Sequence, residues 1–416
     1  MNWGKRIKSA ALTFGFTLFL GQAHADVISL HKGISTDIWM SWPNEEQLAK
    51  RPELIGDFPE WLQQNNQKQI ANLRKGGFDF VRLTVDPLAY LWNPSAVKTA
   101  TLNAGVLAAI KVIRAENINV LVDFHAIPKG GDRKIGTETF VATQTAFDGF
   151  VAQAVALASS LSTQDPMHVA IEPINEPVLD CDYDEGGNTH RWRVMALQLH
   201  NAVRNAAPAF TLVMQGACWG GSNGLVDLDP TTFEDANIIW DFHSYDPFLF
   251  THQGAEWQDG VERYISGLHF PPRREQKSQI IANTIERIKK SNLSASRKAE
   301  LVAQTKNDLS HYFEPGAALA LHASAFKQVA EWAKIHNIPP QHIMLGEFGA
   351  NRTPETAKPL TQDRLAFVER SRKEAEKRGY SWAFWNWSGS MSPTNNDHDR
   401  IVLPSYIKAL GLIPQN

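Results

Sequence analysis

Short apolar, β-branched runs recur along the chain, and amphipathic segments separate them. The runs fall at 27–33, 78–84, 119–125, 168–174, 211–216, 237–243, 342–347 and 380–387. Between them, Leu102, Val106, Ile110 and Ile113 mark one helical face, and Phe326, Val329, Ala330 and Ala333 mark another. Strands alternating with amphipathic helices predict a parallel sheet built from β-α units. Eight such units predict an α/β fold of the (β/α)8 TIM-barrel type. A doubly wound sheet is the competing architecture, but it carries a ligand-binding glycine cluster after its first strand, and 27–33 leads into none. A barrel also says where chemistry should sit, at the C-terminal ends of its strands.

Two segments fall outside a minimal barrel. Lys5, Arg6 and Lys8 precede an apolar stretch from Ala10 to Leu20, and Ala23-His24-Ala25 supplies a small-x-small cleavage pattern. This reads as a signal peptide over 1–25, cut after Ala25, because the apolar stretch is too short to span a bilayer as a helix. The expected location is therefore periplasmic or extracellular, with no membrane attachment after cleavage, and 26–416 is expected to form one catalytic domain. The second segment, 250–312, is far longer than an ordinary connection between elements. Its Ile281, Ile285 and Ile288 have helical spacing, and Lys289, Lys290, Arg297 and Lys298 flank a turn. A basic helical hairpin inserted after the sixth strand is expected, either a solvated surface feature or a lid against a polymer.

Composition narrows the partners. With 41 basic and 44 acidic side chains the net charge is −3, which gives no electrostatic reason to expect nucleic acid. The 13 tryptophans are an excess, and indole stacks on the apolar faces of sugar rings. Cys181 and Cys218 both follow strand ends; they form either one bridge in an oxidising compartment or two buried thiols.

The strand ends carry the chemistry. They present Arg82, His125, Asn175 with Glu176, His243 with Tyr245, Glu347, and Trp385 with Trp387. Packing gives core strands no reason to finish on Arg and Glu, which are rarely buried without partners. Glu176 closes the run Ile-Glu-Pro-Ile-Asn-Glu-Pro (171–177), and Glu347 closes Ile-Met-Leu-Gly-Glu-Phe-Gly (343–349).

On these motifs the chain resembles glycoside hydrolase family 5, the cellulase-like retaining β-glycosidases. The family's Asn-Glu-Pro hallmark stands here as Asn175-Glu176-Pro177, and its opening Arg-Gly-Ile-Asn appears altered as Lys32-Gly33-Ile34-Ser35. The resemblance runs from about Leu30 to Trp387, the long insertion excepted. It implies Glu176 as acid/base, Glu347 as nucleophile, and Arg82, His125, Asn175, His243, Tyr245 and Trp385 as supporting or substrate-binding residues. It implies no cofactor and a β-linked polysaccharide or oligosaccharide as partner, bound by a monomer.

The roles also follow from chemistry. Retaining cleavage needs two carboxyls about 5–5.5 Å apart, one attacking the anomeric carbon while the other protonates the leaving oxygen. Glu176 is expected to have the raised pKa and Glu347 to stay ionised, with Arg82 and Tyr245 as donors to it. Asn175 would bond the sugar 2-hydroxyl, or else cap its strand. Trp385 would floor the subsite before the cleaved bond. Trp39, Trp42, Trp92, Trp219, Trp257 and Trp387 are candidate stacking platforms, about half of them packing residues by ordinary burial of Trp. Glu172 reads as structural.

Two rival readings remain. Asp123-Phe124-His125 and Asp241-Phe242-His243 repeat one tripeptide, and a metal-dependent barrel hydrolase could use such donors, although each Asp is better placed to orient its His. A non-catalytic sugar-binding barrel would fit if either acid were missing. An endo-β-1,4-glucanase is the first choice of substrate class, with β-mannanase, β-1,3-glucanase or exopolysaccharide processing as alternatives. Lys129, Arg133 and Lys134 in the third loop either meet an anionic polysaccharide or are simply solvated.

Overall fold

A computed structural model of the chain describes residues 27–36, 39–40, 66–92, 95–129, 133–353, 361–396 and 398–415. The expected signal peptide over 1–25 and the candidate Trp42 lie outside the described residues.

Eight parallel strands close into a barrel in chain order: β1 (Lys32–Ser35), β2 (Phe80–Val85), β3 (Asn119–Phe124), β4 (Val169–Glu172), β5 (Leu212–Gln215), β6 (Ile238–His243), β7 (Ile343–Glu347) and β8 (Ser381–Phe384). Helices surround it: α1 (Asn66–Gly76), α2 (Ala96–Arg114), α3 (Gln144–Ser160), α4 (Asn188–Ala206), α5 (Ser222–Val226), α6 (Lys277–Lys290), α7 (Ala295–Tyr312), α8 (Ala317–Ile335), α9 (Thr361–Glu376) and α10 (Pro404–Ala409). The (β/α)8 barrel expected from the strand count is the observed fold. Helices α6 and α7 lie in the 250–312 segment, joined by a short turn at 291–294.

Side chains alternate across each strand, so every second residue points into the barrel. The lowest inward layer is apolar. Phe80, Leu121, Ala170, Val213, Ile239, Met344 and Ala383, one from each of β2 to β8, pack with Ile28 and Leu30. Gly33 of β1 belongs here because a Cβ on it would stand 2.2 Å from the Phe80 ring, which fills the space. The apolar run at 27–33 therefore does two jobs. Its first half plugs the barrel floor, and only its end enters β1, which is why the strand starts later than the run suggests.

Two residues further along β2 to β6 the inward positions turn polar: Arg82, Asp123, Glu172, Gln215 and Asp241, all fully buried. The outward faces of the strands and the inner faces of the helices form the main core. One local device sets the top of the barrel. A Cβ on Gly346 would stand 2.2 Å from Asp241 Oδ2, and the β6–β7 register shifts beside it so that His243 pairs with Glu347. The bulge re-aims the end of β7, and Glu347 is delivered to the barrel mouth.

Candidate active site

Arg82 is the hub of the buried polar layer. Its Nε and Nη2 donate to the two oxygens of Glu172 at 2.7 Å each, and Nη1 donates to Glu347 Oε1 at 2.7 Å. Nη2 also donates to Asn175 Oδ1 at 2.7 Å and lies 3.1 Å from Asp123 Oδ2. A planar fork of donors suits this many acceptors, which an ammonium could not satisfy. Burial opposes the cation, but Asp123, Glu172 and Glu347 outweigh it, so Arg82 stays protonated. The same burial pushes Asp123 up to about 7 and Glu172 up to about 8, with Arg82 pulling both back.

Glu347 is held from two sides, by Arg82 on Oε1 and by the Tyr245 hydroxyl, which donates to Oε2 at 2.8 Å. Burial lifts its pKa above the ordinary carboxylate value; His243 and Arg82 oppose the rise and Glu176 adds to it. Burial, then the charges of Glu347 and Glu176, push Tyr245 well above a normal phenol. Its hydroxyl keeps its proton and can only donate toward the carboxylate.

Glu176 follows β4 with a positive φ of 40°, and its backbone N–H donates to Gln215 Oε1 at 2.8 Å. His243 Nδ1 lies 2.7 Å from its Oε1 and 3.7 Å from Glu347 Oε2. Burial disfavours a charged His243, but Glu347, Asp241 and Glu176 hold its pKa well above the histidine range, so the ring donates to Glu176. One carboxylate oxygen of Glu176 and one of Glu347 lie within 4.8 Å of each other. The Glu176 side chain is 18% exposed against 5% for Glu347, so Glu176 is the more open of the two to the cleft.

His125 is set up in the opposite sense. Burial and the Arg82 charge lower its pKa to about 4, leaving a neutral ring. Its Nδ1 is 2.6 Å from Asp123 Oδ2, and the ring stacks on Trp385 with centroids 5.1 Å apart.

These groups open into a cleft of about 1130 Å³. His125, Asn175, Glu176, His243, Tyr245, Glu347 and Trp385 line it, while Arg82 lies beneath, fully buried. Trp219 and Trp257, 45% and 54% exposed, form part of its wall, as do Lys129 and Arg133. Arg133 is 2.5 Å from buried Asp86, which ties that charge to the scaffold, and Lys134 is exposed. Cys181 and Cys218 are joined in a disulfide with Cα atoms 5.1 Å apart.

Two tryptophan assignments are corrected. Trp39 and Trp387 are 1% and 0% exposed and pack edge to face with centroids 5.5 Å apart, with Arg400 over Trp387. Their faces are consumed by packing and cannot meet a sugar. Trp92 is half-buried and is not among the described residues that border the cleft.

Among the described residues, two donor sets are close enough to share a cation: Glu172–Asp241–His243 and Glu176–His243–Glu347. In the first, Gln215 Nε2 already stands 2.6 Å from Glu172 Oε1, 2.6 Å from Asp241 Oδ2 and 3.0 Å from His243 Nε2. In the second, protonated His243 and Arg82 supply the positive charge. The donors are organised around protein cations and an amide, which disfavours the metal reading of the repeated Asp-Phe-His tripeptides. Sequence reasoning missed Gln215. Its signal was the alternation Val213-Met214-Gln215, which matches Leu121-Val122-Asp123 and Ala170-Ile171-Glu172 in neighbouring strands.

The chain is similar to several known proteins. Endoglucanase 3 of Fibrobacter succinogenes is 23% identical over 407 residues, which cover 93% of this chain and 56% of the relative. Endoglucanase C of Acetivibrio thermocellus is 26% identical over 219 residues, covering 52% of this chain and 61% of the relative. The chain thus aligns with a little over half the length of these relatives. Among solved structures, Thermotoga maritima Cel5A in complex with mannotriose matches with a TM-score of 0.63 at 19% identity, covering 92% of this chain and 97% of that one. That likeness is one of fold. The family model for cellulase (glycosyl hydrolase family 5) matches residues 43–391, and the chain belongs to that family.

Proposed function

We propose that this chain is an exported retaining glycoside hydrolase that cleaves internal β-1,4 bonds of a glucan. The observation that carries the reading is the approach of Glu176 and Glu347 to within 4.8 Å across an open cleft. An oxygen–oxygen approach this close suits direct attack by one carboxylate, as in retaining enzymes, whose carboxyls stand about 5–5.5 Å apart, rather than the about 6.5–9.5 Å of inverting ones.

Glu347 attacks the anomeric carbon while Glu176 protonates the departing glycosidic oxygen, giving a glycosyl-enzyme ester. Glu176, now a carboxylate, takes a proton from water as that water attacks the same carbon and releases Glu347. Arg82 and Tyr245 direct two hydrogen bonds at Glu347 and fix its rotamer. Arg82 occupies Asn175 Oδ1, and the Asn175 amide nitrogen gives one hydrogen to the Ala126 carbonyl at 3.4 Å, so its second hydrogen is the group left to meet the sugar 2-hydroxyl. Trp385, backed by His125, offers a flat floor on the nucleophile side.

The endoglucanase relatives favour β-1,4-glucan as substrate; the mannotriose complex of a structural neighbour supports β-mannan as the second reading. Export is supported by the basic and apolar N-terminal residues and by the disulfide, which suits an oxidising compartment. The test is covalent trapping. A 2-deoxy-2-fluoro cellobioside with an activated leaving group should add one fluorosugar to the protein, mapped to Glu347 by peptide mass. Label on another residue, or label surviving in Glu347→Gln, would overturn the assignment.

A further inference from the structure

The seam between β4 and β5 is the weakest in the barrel. Its ladder has a single residue pair, Ile171 with Leu212, where the other neighbouring strands share two to six. Yet the two loops above this seam flank the acid Glu176. The β4 loop carries Glu176 and Cys181; the β5 loop carries Cys218, Trp219 and Gly220. Above the broken ladder the loops are rejoined by the disulfide and by a Cys218 N–H donating to the Leu179 carbonyl at 3.0 Å.

The backbone here is unusual. Cys218, Trp219 and Gly220 are three consecutive residues in the left-handed region, with φ of 58°, 58° and 65°. Side-chain-bearing residues disfavour that region and hold it only where the surroundings impose it. The turn is pinned at both ends, by the disulfide at Cys218 and by His243 N–H donating to the Gly220 carbonyl at 2.8 Å. It also packs on the catalytic acid, since a Cβ on Gly220 would stand 3.3 Å from Glu176 Cγ. The residue displayed at its apex is Trp219, 45% exposed in the cleft wall.

The wall beside the acid is the wall that meets the departing sugar, because the acid must reach the leaving oxygen. We infer that the Cys181–Cys218 disulfide is a positioning element of the leaving-group side: it holds the left-handed turn that presents Trp219 as a sugar platform beside Glu176. This rests on the proposed glycosidase reading and deepens it. The bridge itself touches no reacting atom.

The experiment compares two substrates that share a glycone. Cellotetraose places sugars on the leaving-group side; β-cellobiosyl fluoride places only fluoride there. In the oxidised wild-type protein, thiol titration should find no free thiol. In Cys181→Ser/Cys218→Ser, the ratio of kcat/KM for cellotetraose to kcat/KM for the fluoride should fall about two- to tenfold, the value of one aromatic contact. Trp219→Ala should lower the same ratio to a similar extent, Trp219→Phe should restore part of it, and the combined variant should lose no more than Trp219→Ala alone. Should the serine variant fold poorly, the folded wild type can be reduced by dithiothreitol, which turns the bridge into two thiols as the reagent closes to its cyclic disulfide, and the same ratio read. A fall in both substrates by one common factor would mean a merely structural bridge and overturn the inference, as would multiplicative losses or free thiols in the oxidised protein. If the wild type turns over neither substrate, the glycosidase reading itself fails, and the inference with it.

Discussion

Tyr245→Phe isolates one hydrogen bond at the nucleophile. The substitution keeps the ring and removes only the hydroxyl that donates to Glu347 Oε2 at 2.8 Å. What remains near that oxygen is His243 Nδ1 at 3.7 Å, beyond hydrogen-bond range. A hydrogen bond to a charged group contributes about 1.5–3 kcal/mol, and one pKa unit corresponds to about 1.4 kcal/mol. The pKa of Glu347 should therefore rise by about 1–2 units. The sign follows from the role: Glu347 must be ionised to attack, and burial already places it above the 4.5 of a free glutamate. Losing a donor to the ionised form lifts it again, so activity should disappear at a higher pH as acid is added. The assay is kcat/KM against pH with a chromogenic cellobioside, whose acidic limb reports the free enzyme's essential base. The wild-type limb should lie above pH 4.5, and the variant's limb should move up by about 1–2 units. A limb that stays in place or moves down would refute the idea that Tyr245 holds the nucleophile ionised.

Other outcomes follow from the same contacts. Glu176→Ala should slow hydrolysis of cellotetraose far more than release of dinitrophenol from an aryl cellobioside, because only the first leaving group needs a proton; equal losses would remove Glu176 from the acid role. Exhaustive chelation should leave hydrolysis intact, since Gln215 Nε2 stands at the centre of the Glu172–Asp241–His243 donor set; loss restored by a divalent cation would revive the metal reading. Gly346→Ala would press a Cβ to 2.2 Å from Asp241 Oδ2, and denaturant titration should show a loss of about 1–3 kcal/mol typical of overpacking. Phe80→Ala would empty the barrel floor and should cost about 3–5 kcal/mol; an unchanged unfolding midpoint would contradict its place as the central plug.

How far the molecule could be read from its sequence depends on the kind of signal. The barrel was legible because its strands repeat one physical pattern, an apolar run ending in a functional group, and repetition is visible without coordinates. Glu176 and Glu347 stood out because acids at the ends of apolar strands have no packing rationale. The first strand was misplaced because Ile28 and Leu30, apolar like a strand, plug the floor of the barrel instead. Trp39 and Trp387 read as sugar platforms because composition does not reveal which face of an indole is covered; here the two pack edge to face and Arg400 lies over Trp387. Gln215 was passed over as an ordinary amide, although its meaning lies in long-range geometry: it meets residues from β4 and β6 and the N–H of Glu176. The bridge between Cys181 and Cys218 could be framed only as an alternative, since nothing local shows that two loops 37 residues apart come together.

Double displacement by Glu176 and Glu347, which have carboxylate oxygens within 4.8 Å of each other, fixes which anomer of the product leaves first. Proton NMR of cellotetraose hydrolysis, recorded before mutarotation sets in, reads this directly from the anomer released first. Double displacement releases the β-anomer, with α-anomer appearing only later at the rate of spontaneous mutarotation; initial release of the α-anomer would contradict a retaining mechanism.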